Sequence, residues 1–83
     1  MITAAQMRAA RSLLGMDQRQ LAEAAGLSLP TIQRMEGSAD VIRSNVDSMM
    51  KVVAALDAAG VELIGPGALS SGGGRGVRLK AVT

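Results

Sequence analysis

The stretch from Gln18 to Glu36, QRQLAEAAGLSLPTIQRME, confines this chain more than any other part of it. It reads as two short helical patterns joined by a tight turn at Gly26, the second opening on a helix-capping serine. Helices this short hold their shape only by packing against one another and against further elements. Gly26 supplies the positive φ that reverses the chain within a few residues, and Leu27 in the turn is a candidate core plug. Leu21, Ala22 and Ala25 point inward from the first pattern, the alanines being small enough to let a crossing helix approach. Ile32 and Met35 face inward from the second, which leaves Leu29, Thr31, Gln33 and Arg34 for solvent or a partner.

The same punctuation recurs on either side. Thr3 with Gln6 has the spacing of a capping box and opens a helix to about Leu14, with Gly15 as its left-handed exit. Met7, Ala10, Leu13 and Leu14 fall on one face of it. Asp17 with Gln20 caps the next helix, and Ser28 caps the third, with Pro30 in a first turn that tolerates a missing amide hydrogen. That third helix ends near Glu36 and Gly37. In the following loop, Ser38 to Arg43, Val41 and Ile42 are expected to tuck apolar surface underneath. Ser44 with Asp47 makes a fourth capping box for a helix to about Ala59, closed by Gly60. Its expected apolar face is Val46, Met49, Met50, Val53 and Leu56.

Beyond Gly60 the pattern changes to two β-prone segments, Val61-Glu62-Leu63-Ile64 and Val77-Arg78-Leu79, around a Gly/Ser-rich loop. A hairpin is the simplest reading, and an isolated two-stranded hairpin needs a partner surface. It can close the chain's own core, or pair its edge with the same edge of a second chain. The second is favoured here, because two-fold symmetry would present the outward face of the second short helix twice in one assembly. Val61, Leu63, Ile64, Val77 and Leu79 are then the candidate dimerisation residues. The fold class is mainly α: a four-helix domain over residues 1–59 with a hairpin extension over 60–83.

Composition narrows the chemistry. The 83 residues make one small domain that is 48% hydrophobic and 0% aromatic, so the core is built from Leu, Ile, Val, Met and Ala. Met35, Met49 and Met50 are read as core filler rather than ligands. There is no cysteine and no histidine, which removes thiol chemistry, disulfides, the usual zinc ligands and the neutral-pH base. The acidic residues stand singly, so neither a metalloenzyme nor a triad hydrolase is expected, and no cofactor is implied. No run has the length of a membrane span and no signal pattern opens the chain. A cytoplasmic, nucleoid-associated protein without a membrane partner is expected, and the start at Met1 suggests a complete small protein. The net charge is only +2 with a pI of about 9.9, yet seven of the nine cations are arginine, whose planar fork suits phosphate and guanine edges. Gly72-Gly73-Gly74-Arg75-Gly76 is a hairpin tip, since the Gly-Lys-Ser/Thr ending and the following helix of a phosphate loop are absent.

Taken together, Arg11…Gly15-Met16-Asp17-Gln18, Leu21-Ala22, Ala25-Gly26-Leu27-Ser28 and Thr31-Ile32-Gln33-Arg34-Met35-Glu36 resemble the Cro-type (XRE), phage-repressor-like family of helix-turn-helix regulators. The resemblance spans about Gln6 to Leu56. It implies a lambda-repressor-like four-helix fold that presents the Ser28–Glu36 helix to the major groove of double-stranded DNA. Gly60-Val61-Glu62-Leu63-Ile64 with Gly76-Val77-Arg78-Leu79-Lys80 resembles the tail of small bacterial members without an effector domain. Here the family's usual last helix is replaced by the hairpin.

Carried over by position, the resemblance makes Leu29, Pro30, Thr31, Gln33 and Arg34 base-facing. Arg34 suits guanine O6 and N7; Leu29, Pro30 and the Thr31 methyl suit thymine methyls; Gln33 suits either phosphate or an adenine edge. Gln18 corresponds to the glutamine that anchors to phosphate and buttresses the reading helix. Ser28, Arg43 and Asn45 are the remaining phosphate candidates at helix starts, with Arg8 and Arg19 flanking the same backbone. Arg11 and Glu36 occupy the positions of a structural ion pair. The expected function is a sequence-specific regulator of transcription, a repressor by default, binding a pseudo-palindromic operator as a homodimer. The alternative is a protein-interaction module, such as an antitoxin or antirepressor, built on the same fold and holding a protein partner.

Overall fold

Thr3, Asp17 and Ser28 each start a helix in the computed structural model, which describes residues 2–38, 45–65 and 73–80. The elements run α1 (Ala4–Leu14), α2 (Gln18–Ala25), α3 (Leu29–Glu36), α4 (Val46–Ala59), β1 (Val61–Ile64) and β2 (Gly76–Leu79). The Gln6 amide donates to Thr3 Oγ1 at 3.1 Å and the Thr3 amide donates back to Gln6 Oε1 at 2.9 Å. Asp17 and Gln20 repeat that reciprocal box at 2.7 and 2.8 Å. Ser28 Oγ accepts from the Thr31 amide at 3.2 Å. Caps of this kind contribute about 1 kcal/mol each and fix where a short helix begins. Between α2 and α3 the chain turns at Gly26, φ +68°, a conformation that strains any residue with a Cβ.

Apolar side chains of all four helices and of β1 meet in one core, in which Met7, Leu21, Ile32, Met35, Val52, Leu56 and Val61 are fully buried. Leu27 in the turn packs against it, as do Leu63 and Val77 from the hairpin. Gly60 is therefore a boundary of secondary structure rather than of packing. The hairpin sits on α1 and α4 of its own chain, so of the two seats the sequence left open, the monomer's own core is occupied. The strands pair antiparallel in the register Val61↔Leu79, Glu62↔Arg78, Leu63↔Val77 and Ile64↔Gly76. Alternation turns Val61, Leu63, Val77 and Leu79 to one face and Glu62 with Arg78 to the other.

Two further contacts fix that seat. Gln6 Nε2 donates to both Ile64 O (2.9 Å) and Gly76 O (3.0 Å), bridging the last strand pair before the tip. At the base, the Lys80 amide donates to Gly60 O at 2.8 Å.

Three expectations are corrected. α4 buries Met49, Val52 and Leu56 with Ser48, while Val46 is 71% and Met50 62% exposed. The stripe lies about one residue's rotation away from the expected one, because α4 carries apolar residues nearly all round and the packing partner, not the period, selects the face. The cap of α4 is Asn45, whose Oδ1 accepts from the Ser48 amide at 2.7 Å, in place of Ser44. Leu13 is 44% exposed instead of core-facing. The expectations for Val41, Ile42 and Arg43 lie outside the described residues. Among the described residues no helix is long and apolar enough to cross a membrane.

Candidate nucleic-acid interface

α3 is eight residues long, and its two faces differ sharply. Ile32 and Met35 are fully buried and Glu36 nearly so, whereas Pro30, Gln33 and Arg34 are exposed. Residues at i, i+3 and i+4 share one side of a helix, so Pro30, Gln33 and Arg34 form a single outward stripe. Leu29 and Thr31 flank it, each half-buried. The Thr31 hydroxyl lies 2.8 Å from that of Ser28, tying the first turn to its cap. Prolonged outward, the stripe ends at Gly37.

An eight-residue helix needs outside support to keep its direction, and most of that support converges on Glu36. Its side chain is only 2% exposed. Arg11, from α1, holds the carboxylate with both prongs of its guanidinium: Nε to Oε2 at 2.7 Å and Nη2 to Oε1 at 2.9 Å. The third Arg11 nitrogen donates to Met16 O at 3.0 Å, in the α1–α2 link. Gln18, at the start of α2, adds a bond from Nε2 to Glu36 Oε1 at 3.1 Å. The hydrogen bond to Glu36 raises the Arg11 pKa above its ordinary value; burial opposes this, and the charges of Glu36 and Asp17 add to it. A paired buried carboxylate with good geometry is tolerated, whereas an unpaired one is strongly destabilising. α1, α2 and the end of α3 are thereby joined through one side chain.

The remaining candidates are distributed as follows. Arg19, Ser28 and Asn45 are exposed at the starts of α2, α3 and α4. Arg43 lies outside the described residues. Arg8, exposed on α1, uses its Nη1 to donate to Glu36 O, the last carbonyl of α3, at 2.6 Å. Sequence reasoning did not reach that contact, nor the second duty of Gln6, because both partners are remote in the chain. Among the described residues no group of acidic side chains could hold a metal ion.

An exposed polar stripe on a short second helix, capped by serine after a glycine turn and braced from behind, defines a DNA-binding helix-turn-helix domain. Residues 7–57, more than half of the chain, match the family described as helix-turn-helix, and the chain belongs to that family, in its Cro (XRE) type. It is accordingly a DNA-binding transcriptional regulator of that type. No curated protein matches the chain.

Proposed function

We propose that the chain is a sequence-specific repressor that recognises a pseudo-palindromic operator as a homodimer and occludes the promoter. The observation that carries this reading is the Pro30, Gln33, Arg34 stripe on a helix whose buried face and C-terminal end are both fixed. Arg34 reads guanine through O6 and N7, and Gln33 reads an adenine edge or a phosphate. Leu29, Pro30 and the Thr31 methyl supply apolar contact to thymine methyls. Gln18, Arg19, Ser28, Asn45 and Arg43 set the register on the phosphate backbone.

Pairing of two copies is assigned to the hairpin. Among the described residues the sheet has two strands, so each leaves an outer edge. Leu79 is 51% exposed and Ile64 half-buried, so these two offer apolar surface. Val61 is enclosed in the core, with Leu63 and Val77 leaning on it, which restricts their part to positioning the edge.

The test is selection of duplexes from a random-sequence library by the full chain, followed by footprinting of the best one. Two protected half-sites about 34 Å apart are expected for a dimer with two reading helices. A single uninterrupted half-site refutes the dimer. Arg34→Ala should weaken binding to the selected duplex by about 1–3 kcal/mol with no change in melting temperature. Undiminished affinity removes Arg34 from the base-reading set.

A further inference from the structure

Among the described residues, α1, α2 and α4 each end on a left-handed glycine and α3 does not. Gly15, Gly26 and Gly60 close α1, α2 and α4 with φ of 68°, 68° and 105°. After α1 and α2 the chain folds back so that Met16 N donates to Arg11 O and Leu27 N to Ala22 O, each a carbonyl of the last turn three residues before the helix's final residue. Gly37, after α3, keeps a right-handed conformation, φ −83° and ψ −2°, and its amide donates to Gln33 O at 3.0 Å. At that exit Ser38 N donates to Met35 O at 3.3 Å rather than folding back to Gln33 O. Glu36 O is instead met by the Arg8 guanidinium from α1, a cation placed at the negative end of the helix dipole.

We propose that Arg8 is a positioning residue for DNA reading. It acts through the C-terminus of α3, not through contact with DNA, and it completes the hold that Arg11 and Gln18 exert on the Glu36 side chain. Arg11 and Gln18 fix where the carboxylate sits; Arg8 fixes the backbone carbonyl of the same residue. Main chain and side chain of Glu36 are thus held from different atoms, and the end of α3 is denied rotation about its own axis. Arg34, two residues earlier, takes its direction from that turn. The inference rests on the DNA-reading role of α3 proposed above.

The experiment compares the full chain with Arg8→Ala and Arg8→Lys on two probes: the duplex selected by the wild-type chain, and a duplex of scrambled sequence. Arg8→Ala is expected to weaken the selected duplex by roughly three- to ten-fold, as fits loss of one favourable charge–dipole contact. Binding to the scrambled duplex stays unchanged, as does the slope of log affinity against log salt, because no phosphate contact is lost. In the free protein the Gly37 and Ser38 amides should exchange faster, and Arg8→Lys should restore both properties in large part.

An equal loss on both duplexes with a salt slope smaller by about one assigns Arg8 to a phosphate and overturns the proposal. Unchanged exchange at Gly37 and Ser38 overturns it as well. If the wild-type chain selects no duplex, the reading of α3 fails by itself, and amide exchange still decides whether Arg8 holds the helix end.

Discussion

The α3 side of the molecule and the hairpin side are held by different physics. The end of α3 is fixed by charge-assisted, directional bonds from Arg8, Arg11 and Gln18, all converging on Glu36. The hairpin is held by burial of Val61, by the neutral amide of Gln6 and by exposed ion pairs, Glu62 with Arg78 at 2.8 Å and Asp57 with Lys80 at 2.5 Å. Exposed pairs contribute little because water screens them. Directional bonds resist rotation, whereas apolar contact resists separation and tolerates sliding. A helix that reads base edges needs the first property. A strand pair that closes a core manages with the second. On its outer flank the hairpin side also leaves apolar surface open: Val46 and Met50 line a groove between α4 and β1 with Ile2, Met49, Val53 and Leu63.

The contrast breaks most visibly at Arg11. Arg11→Ala strands the buried Glu36 carboxylate, and about 3 kcal/mol of stability should be lost, with a fall in melting temperature of more than about 10 °C. Urea denaturation measures it; a loss under 1 kcal/mol means that the carboxylate finds water and the clamp is dispensable.

Gln6→Ala sharpens the other side. It removes half of the α1 capping box and both donors to the hairpin, for an expected loss of about 1–2 kcal/mol. Amide exchange should quicken along β1 and β2 but not in α2 or α3, and uniform quickening would make the two sides one cooperative unit. The smallest effect is the acid titration of Glu62. The hydrogen bond from Arg78 leads in lowering its pKa, burial opposes this, and the charges of Arg78 and Lys80 reinforce the lowering. A carboxylate lowered in the folded state stabilises above its unfolded pKa, and that contribution fades as pH falls through the folded value. NMR titration should show a Glu62 midpoint below the ordinary carboxylate range that moves most of the way back in Arg78→Ala, the Lys80 charge remaining. A midpoint unmoved by that substitution would detach the pair from the hairpin.

Local chemistry explains what the sequence made legible. Caps at Thr3, Asp17 and Ser28 and exits at Gly15, Gly26 and Gly60 depend on residues within a turn of one another, so they could be read directly. The fourth cap moved by one residue because Ser44 and Asn45 are both good acceptors with a partner three residues on. α4 shows where periodicity loses its hold: a helix apolar on most sides fits several stripes, and only the neighbours choose among them. The family positions led to Arg11 with Glu36, which local reading alone would have left as two unrelated charges. Arg8 on Glu36 O and Gln6 on the strand carbonyls stayed hidden, since long side chains reaching main-chain atoms 28, 58 and 70 residues away leave no trace in spacing.

The bridge from Gln6 to Ile64 O and Gly76 O has one more consequence. It lies at the last strand pair before the tip, while the bond from the Lys80 amide to Gly60 O closes the other end. With both ends of the ladder pinned, a one-residue slip of β2 along β1 breaks both bonds and turns Leu63 or Val77 off the core. Any such slip is therefore felt in α1 itself, because Gln6 is also half of that helix's capping box.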